Sequence, residues 1–208
     1  MTFFSVLIAA GQSSRMGEDK ALLEIGDKKC INFVLKKLLS FSDKVVVVLG
    51  DNFKNVKKYV PVKDKKVIFV YNPSHLQGGM LSSIKVGFKT LTSDRPTFLQ
   101  MIDQPFVKKE TYKFLIKSFD NSNLFIQPVG KLNQKGKKGH PILFGTKFRK
   151  ILLENKTSKT FRDIMLPIKQ RGKFVEVDDL GVVQNLNDRK LFLNGLQKYQ
   201  KKMSLLQL

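Results

Sequence analysis

Residues 45–49 of this chain, Val-Val-Val-Val-Leu, carry no polar side chain at all. Successive side chains on a strand point to opposite faces, so an unbroken apolar run of strand length belongs in a sheet that is covered on both sides. Helices packed on both faces of a largely parallel sheet provide that cover, and the connections between parallel strands supply the helices. The rest of the chain keeps this rhythm. Runs rich in β-branched or aromatic residues lie at 3–9, 44–49, 67–71, 98–102 and 124–126, each followed by a loop or a helical pattern. Ile31, Val34, Leu35, Leu38 and Leu39 recur at helical spacing, as do Ile84, Phe88 and Leu91, and then Phe114, Leu115 and Phe119, which gives three core-facing stripes. A helix is expected around 148–153, a short one over 160–166, a strand at 174–177 and a terminal helix from about 188 to 202. The lysine-rich segment 131–138, with Gly130, Gly136 and Gly139, follows neither period and is expected as an exposed loop. The fold class is therefore α/β, a Rossmann-like three-layer sandwich around a mostly parallel central sheet.

At 208 residues and 42% hydrophobic, the chain is expected to form one domain over 1–208 with a sizeable core. No apolar run approaches the ~18 residues of a membrane span, and residues 3–10 run into a glycine loop without a basic leader, so a soluble cytoplasmic protein is expected. Cys30 is the single cysteine and His75 and His140 the two histidines, which excludes an internal disulfide and a Cys/His zinc cluster. The formal charge of +21 favours a polyanionic partner. Only Arg15, Arg95, Arg149, Arg162, Arg171 and Arg189 are arginines, however, and bidentate readout of phosphate or guanine favours arginine. Most of the lysines are read as a solvated face, which weakens a dedicated nucleic-acid reader.

Ligands of open α/β sheets bind beyond the carboxyl ends of the strands, and three motifs lie there. The first, Ala9-Ala10-Gly11-Gln-Ser13-Ser14-Arg15-Met-Gly17 with Lys20 three residues on, opens from a strand into small residues. Backbone N–H groups there can approach an oligophosphate closely while Arg15 and Lys20 neutralise its far end. It matches neither GxxxxGK[ST] nor GxGxxG, and a plain strand-to-helix turn is the rival reading. The second, Gln77-Gly78-Gly79-Met80-Leu-Ser82-Ser83, brings glycines and hydroxyls to a helix start, where they cap the helix or meet a ligand. The third, Asp103-Gln104-Pro105, sets a carboxylate at the end of an apolar strand. A buried acid needs a partner, and Mg2+ bridging to phosphate oxygens is one solution, capping of the next turn another.

Ala-Ala-Gly-x-Ser-x-Arg-Met-Gly-x-x-Lys at Ala9 to Lys20 resembles the signature of nucleotidyltransferases related to molybdenum cofactor cytidylyltransferase. The resemblance implies that the loop wraps a nucleoside triphosphate, with Arg15 on the β- and γ-phosphates and Lys20 toward the α-phosphate or acceptor. It also places Gly79, Met80, Ser82 and Ser83 at the nucleobase and makes Asp103 a Mg2+ ligand. Lys138-Gly-His140-Pro141 is similar to the family's segment beside the acceptor, so His140 is expected to contact or orient an anionic acceptor. The stretch Gly181-Val-Val-Gln-Asn185-Leu-Asn187-Asp188 departs from the pattern, because two metal-binding acids of cytidylyltransferases are here Asn185 and Asn187. An amide oxygen still coordinates Mg2+, without the formal charge.

The reaction implied is Mg2+-dependent transfer of a nucleoside monophosphate from an NTP to a phosphorylated acceptor, with loss of pyrophosphate. Ala9-Ala10 and Asp103-Gln104 resemble the cytidylyl branch, which favours CTP and a molybdopterin acceptor, with a molybdoenzyme or chaperone as a conceivable protein partner. Rival readings are a sugar- or alcohol-phosphate nucleotidyltransferase, a non-catalytic nucleotide-binding relative, and a basic nucleic-acid-binding protein.

Overall fold

The computed structural model describes residues 2–11, 19–60, 64–132 and 135–186, together with 193, 196 and 197. The strands are β1 (Phe4–Ile8), β2 (Glu24–Ile25), β3 (Lys28–Lys29), β4 (Lys44–Leu49), β5 (Val67–Tyr71), β6 (Thr97–Met101), β7 (Phe125–Leu132), β8 (Lys135–Lys138), β9 (Ile142–Phe144) and β10 (Gly172–Val177). The helices are α1 (Cys30–Leu38), α2 (Phe53–Tyr59), α3 (Gly79–Thr90), α4 (Lys109–Ser118), α5 (Lys147–Glu154) and α6 (Phe161–Met165). One sheet takes the order β10-β7-β9-β6-β1-β4-β5, with β8 alongside β7. Strands β10, β7, β6, β1, β4 and β5 run one way, and β9 and β8 run against them. The expected sandwich is therefore present, with a mixed but mostly parallel sheet.

Alternation along β4 explains its uniform apolarity. Val45, Val47 and Leu49 enter one core with α1 and α4 residues such as Leu35 and Leu115, whereas Val46 and Val48 enter a second with Ile84 and Phe88 of α3 and Phe148 of α5. Each fully buried Val or Leu adds ~1.5–3 kcal/mol of burial free energy, and β4 collects it on both faces. Helix α3 lies close against the sheet because Gly87 permits it: a Cβ there would stand 2.4 Å from Val6 Cγ1.

Two expectations are corrected. Residues 131–132 and 135–138 are not loop but lie in the antiparallel pair β7–β8, in which Val129 pairs with Lys138 and Leu132 with Lys135. The backbone hydrogen bonds are made within the ladder while Lys131, Lys137 and Lys138 are exposed, so low apolarity concealed a strand. Phe114 does not belong to the α4 stripe: it is 44% exposed, and Thr111, Tyr112 and Leu115 make the buried face. At the start of α6, Asp163 completes a reciprocal N-terminal cap with Thr160. The expected terminal helix falls largely outside the described residues. Among the described residues no helix is long and apolar enough to cross a membrane.

Candidate active site

Strand β1 has β4 on one side and β6 on the other, so the strand order reverses at β1 and a crevice opens beyond the carboxyl ends of β1 and β6. A cavity of about 260 Å3 occupies that position, lined by Ala9, Ala10, Gly11, Lys20, His75, Gly79, Met80, Ser83 and Asp103 among others. Local structure brings each side chain there. Asp19 accepts a hydrogen bond from the N–H of Ala21 at 2.9 Å and starts a short 3-10 turn over Lys20–Leu22, which seats Ala21 in the core and delivers Lys20 to the cleft. Ala9 is pinned from both ends: its N–H donates to the Val48 carbonyl and its carbonyl accepts from Asn52 Nδ2 at 3.0 Å. Helix α3 begins at Gly79 with φ of +56°, a left-handed conformation that glycine adopts without a Cβ penalty. No side-chain cap or acid occupies its first turn, so the positive end of the helix dipole faces the cleft.

The two serines of α3 have different commitments. Ser82 Oγ donates back to the carbonyls of Ser74 or Gly79, whereas Asn72 Nδ2 donates to both Ser82 and Ser83 at 2.9 Å. Ser83 is buried and lines the cavity; Ser82 does not line it. His75 closes the floor, with Nδ1 3.0 Å from the Asn72 carbonyl and Nε2 3.2 Å from Asp51 Oδ2.

Asp103 leads a strap, residues 103–107, whose carbonyls are held from several directions. The Leu186 N–H donates to the Asp103 carbonyl at 2.7 Å. Gln100 Nε2 donates to the Gln104 carbonyl, and Lys37 Nζ to those of Pro105 and Val107. Gln104 Nε2 donates in turn to the Val182 carbonyl and, at 2.6 Å, to Asn185 Oδ1. The segment 182–186 is thus tied along the strap, with the Asn185 amide oxygen held by Gln104 and outside the cavity lining. Burial raises the Asp103 carboxyl above the usual carboxylate range, against the opposing field of Lys20 and its own backbone N–H.

A family model described as the MobA-like NTP transferase domain matches residues 5–172. The chain belongs to this family. A probable molybdenum cofactor guanylyltransferase of Natranaerobius thermophilus is 31% identical over 116 residues, which cover 54% of this chain and 52% of that protein, so the chain spans about half the length of that relative. The molybdenum cofactor cytidylyltransferase of Escherichia coli is 22% identical over 93% of this chain and 95% of its own. In fold, a nucleotidyl transferase from Methanothermobacter superposes with a TM-score of 0.78 at 20% identity, covering 97% of this chain and 99% of that one. Rv0371c of Mycobacterium tuberculosis, in a crystal structure of its manganese complex, superposes with a TM-score of 0.74 at 18% identity, over 95% and 99% of the two chains.

Within this MobA-like domain, the cavity gathers Ala9, Ala10, Gly11, Lys20, Gly79, Met80, Ser83 and Asp103. Gln104 is turned away from it into the protein, where it joins the strap to residues 182–185. His140 is outside the lining as well. Its ring Nδ1 lies 3.3 Å from the Leu99 carbonyl, and burial pushes its pKa down to about 4, so it is neutral and carries no charge toward an anion. Ser13, Ser14, Arg15 and Asn187 lie outside the described residues. Asn52, Asn72 and His75 were not anticipated; all follow directly on β4 or β5, and their positions beyond strand ends were the available signal. Among the described residues no three His, Cys, Asp or Glu side chains form a metal-binding cluster. One half-buried carboxylate fits a hard cation that takes its other ligands from phosphates and water, the habit of Mg2+ and its relatives, better than an all-protein cage.

Proposed function

We propose that this chain catalyses transfer of a nucleoside monophosphate, with CTP as the favoured donor, to a phosphorylated acceptor of the pterin type. The observation that carries the reading is the convergence of the Ala9–Gly11 backbone, Lys20, the α3 N-terminus and Asp103 on one cleft at the switch point of the sheet. Alignment with the Escherichia coli cytidylyltransferase along nearly the whole chain supports it.

In the proposed reaction an acceptor phosphate oxygen attacks the α-phosphorus in line, the bond to the β-phosphate breaks, and pyrophosphate leaves. Such transfer asks a protein for positioning and charge neutralisation rather than for a covalent intermediate. Burial pushes the thiol of Cys30 up to about 12, which leaves it inert as a nucleophile. Backbone at 9–11 and the α3 N-terminus cradle phosphates and base, Ser83 offers its hydroxyl, and Lys20 with Arg15 neutralises the triphosphate. Asp103, with Asn185 and Asn187, would hold a divalent cation, Mg2+ in the first instance, which supplies further positive charge to the phosphates when bound. His140, being neutral, serves the acceptor side by fixing the segment before Pro141 rather than by pairing with an anion. Residues 1–208 act as one nucleotidyltransferase domain in this reading.

The test is the thermal shift of the purified protein with CTP, GTP, UTP and ATP, each with and without Mg2+, beside Asp103→Ala, because selective binding stabilises the folded state. A Mg2+-dependent shift with CTP that the variant lacks is expected. Absence of a shift with every nucleotide would overturn the reading, and a shift with GTP alone would reassign the base.

A further inference from the structure

Helix α1 takes no part in lining the cleft, yet it grips the strap that presents Asp103. Cys30 and Lys37 stand seven residues apart, two helical turns, and so share a face. Cys30 Sγ contacts the carbonyl of Ile102 at 3.7 Å, and Lys37 Nζ donates to the carbonyls of Pro105, at 2.7 Å, and Val107. Lys37 is only 8% exposed, and its ammonium also lies 5.0 Å from the centre of the Phe33 ring. Burying an ammonium is costly unless strong acceptors satisfy it, and a lysine is among the residues least often found inside. A leucine or methionine would fill the same space at no such cost. The acceptors chosen are backbone carbonyls on both sides of Phe106, in the segment that fixes where Asp103 points.

We propose that Lys37 is a positioning residue: by clamping the carbonyls of Pro105 and Val107 it holds the 103–107 strap in the register that aims the Asp103 carboxylate into the cleft. The proposal rests on the nucleotidyl-transfer reading for its functional meaning, but its geometry does not. Displacements of about 1 Å in a catalytic group cost on the order of a hundredfold in rate, so a strap loosened at two of its ties has ample room to lose activity without unfolding. Around Lys37 the charged and titratable groups are Cys30 on α1, Asp179 after β10, and Lys109 and Glu110 on α4; burial pulls the Lys37 ammonium down to about 8, and the Asp179 charge opposes that fall.

A double-mutant cycle separates clamping from general packing. Wild type, Lys37→Met, Asp103→Ala and the double variant are compared for Mn2+ affinity by isothermal titration with CTP present, for pyrophosphate release at saturating CTP with molybdopterin supplied as the acceptor, and for melting temperature. If Lys37 acts through Asp103, Lys37→Met weakens Mn2+ binding and lowers kcat by about tenfold or more, leaves the KM for CTP within about threefold, and adds nothing further in the Asp103→Ala background. Lys37→Arg, which restores cationic donors, recovers part of the loss. Equal fractional losses in both backgrounds, or Mn2+ affinity and kcat within twofold of wild type, would overturn the proposal. Should Lys37→Met fail to fold, Lys37→Gln, which keeps an amide donor, is read in its place by the same criteria. The wild-type arm reports on the functional reading separately: Mn2+ binding at Asp103 without turnover would sink the catalytic reading while leaving the clamp measurable.

Discussion

Two loops leave the same edge of the sheet, each with a buried or half-buried aspartate, and the protein treats the two acids in opposite ways. Asp179, after β10, is 4% exposed and fully engaged: its Oδ2 accepts from the Lys108 N–H at 2.8 Å and the Thr111 hydroxyl at 2.6 Å, and its Oδ1 from the Gly181 N–H at 3.0 Å. Asp103, after β6, gathers only its own backbone N–H and the field of Lys20 among the described residues, and burial raises its carboxyl. One carboxylate is a tie between segments; the other lines a cleft. Stability favours satisfied buried groups, so of the two acids the one raised by burial in the cleft is the one to test for chemistry.

Substitution at the two acids should therefore break in different directions. Asp103→Ala should lower the rate of pyrophosphate release by a hundredfold or more, ~3 kcal/mol in the barrier, without lowering the melting temperature. Asp179→Ala should cost ~3 kcal/mol of stability, because it strands two N–H groups and a hydroxyl, as denaturant titration would register. A large stability loss at Asp103 with little effect on rate would reverse the assignment.

The junction between these loops offers a second test through His140, whose backbone N–H donates to the Val182 carbonyl. Its pKa is pushed down to about 4 by burial, below the ordinary 6.5, so between those values the unfolded chain binds the extra proton and the folded one does not. Stability is then full above about pH 6.5 and falls by roughly 3 kcal/mol as the pH drops to 4. His140→Gln should flatten that part of the curve relative to wild type, measured by urea unfolding across the range; an unchanged slope would mean that the ring is not held neutral.

How much of this was legible in the sequence follows from what each feature rests on. The apolar run at Val45 to Leu49 could only mean a strand covered on both faces, and the helical stripes of α1 and α3 were equally direct. The small-residue loop after β1, the glycines before α3 and the acid after β6 pointed to the cleft because strand ends are where such sheets bind. What stayed hidden depends on partners distant in sequence. Asp179 and Lys37 look like surface charges until Thr111 and the Pro105 carbonyl are brought to them, and Gln104 resembles a ligand-binding side chain until Asn185 arrives beside it. The β7–β8 hairpin was obscured by lysines, since ladder hydrogen bonds leave no trace in hydropathy.

The finest test of the comparison is Asp103→Asn, which keeps shape and removes charge. Because the folded carboxyl titrates above its ordinary 3.8, the folded state holds its proton more tightly than the unfolded chain does. Between the ordinary value and the raised one, stability falls as pH rises; above that window the ionised Asp103 imposes its full cost on the empty protein. Asp103→Asn should then melt higher than wild type at pH 7 without metal or nucleotide, and the advantage should vanish as the pH falls below the window. Adding Mn2+ with CTP should invert the order, since the cation pairs more strongly with the wild-type carboxylate than with the amide. If the variant melts lower than wild type in the empty protein at neutral pH, Asp103 is a satisfied structural acid like Asp179, and the contrast between the two loops collapses.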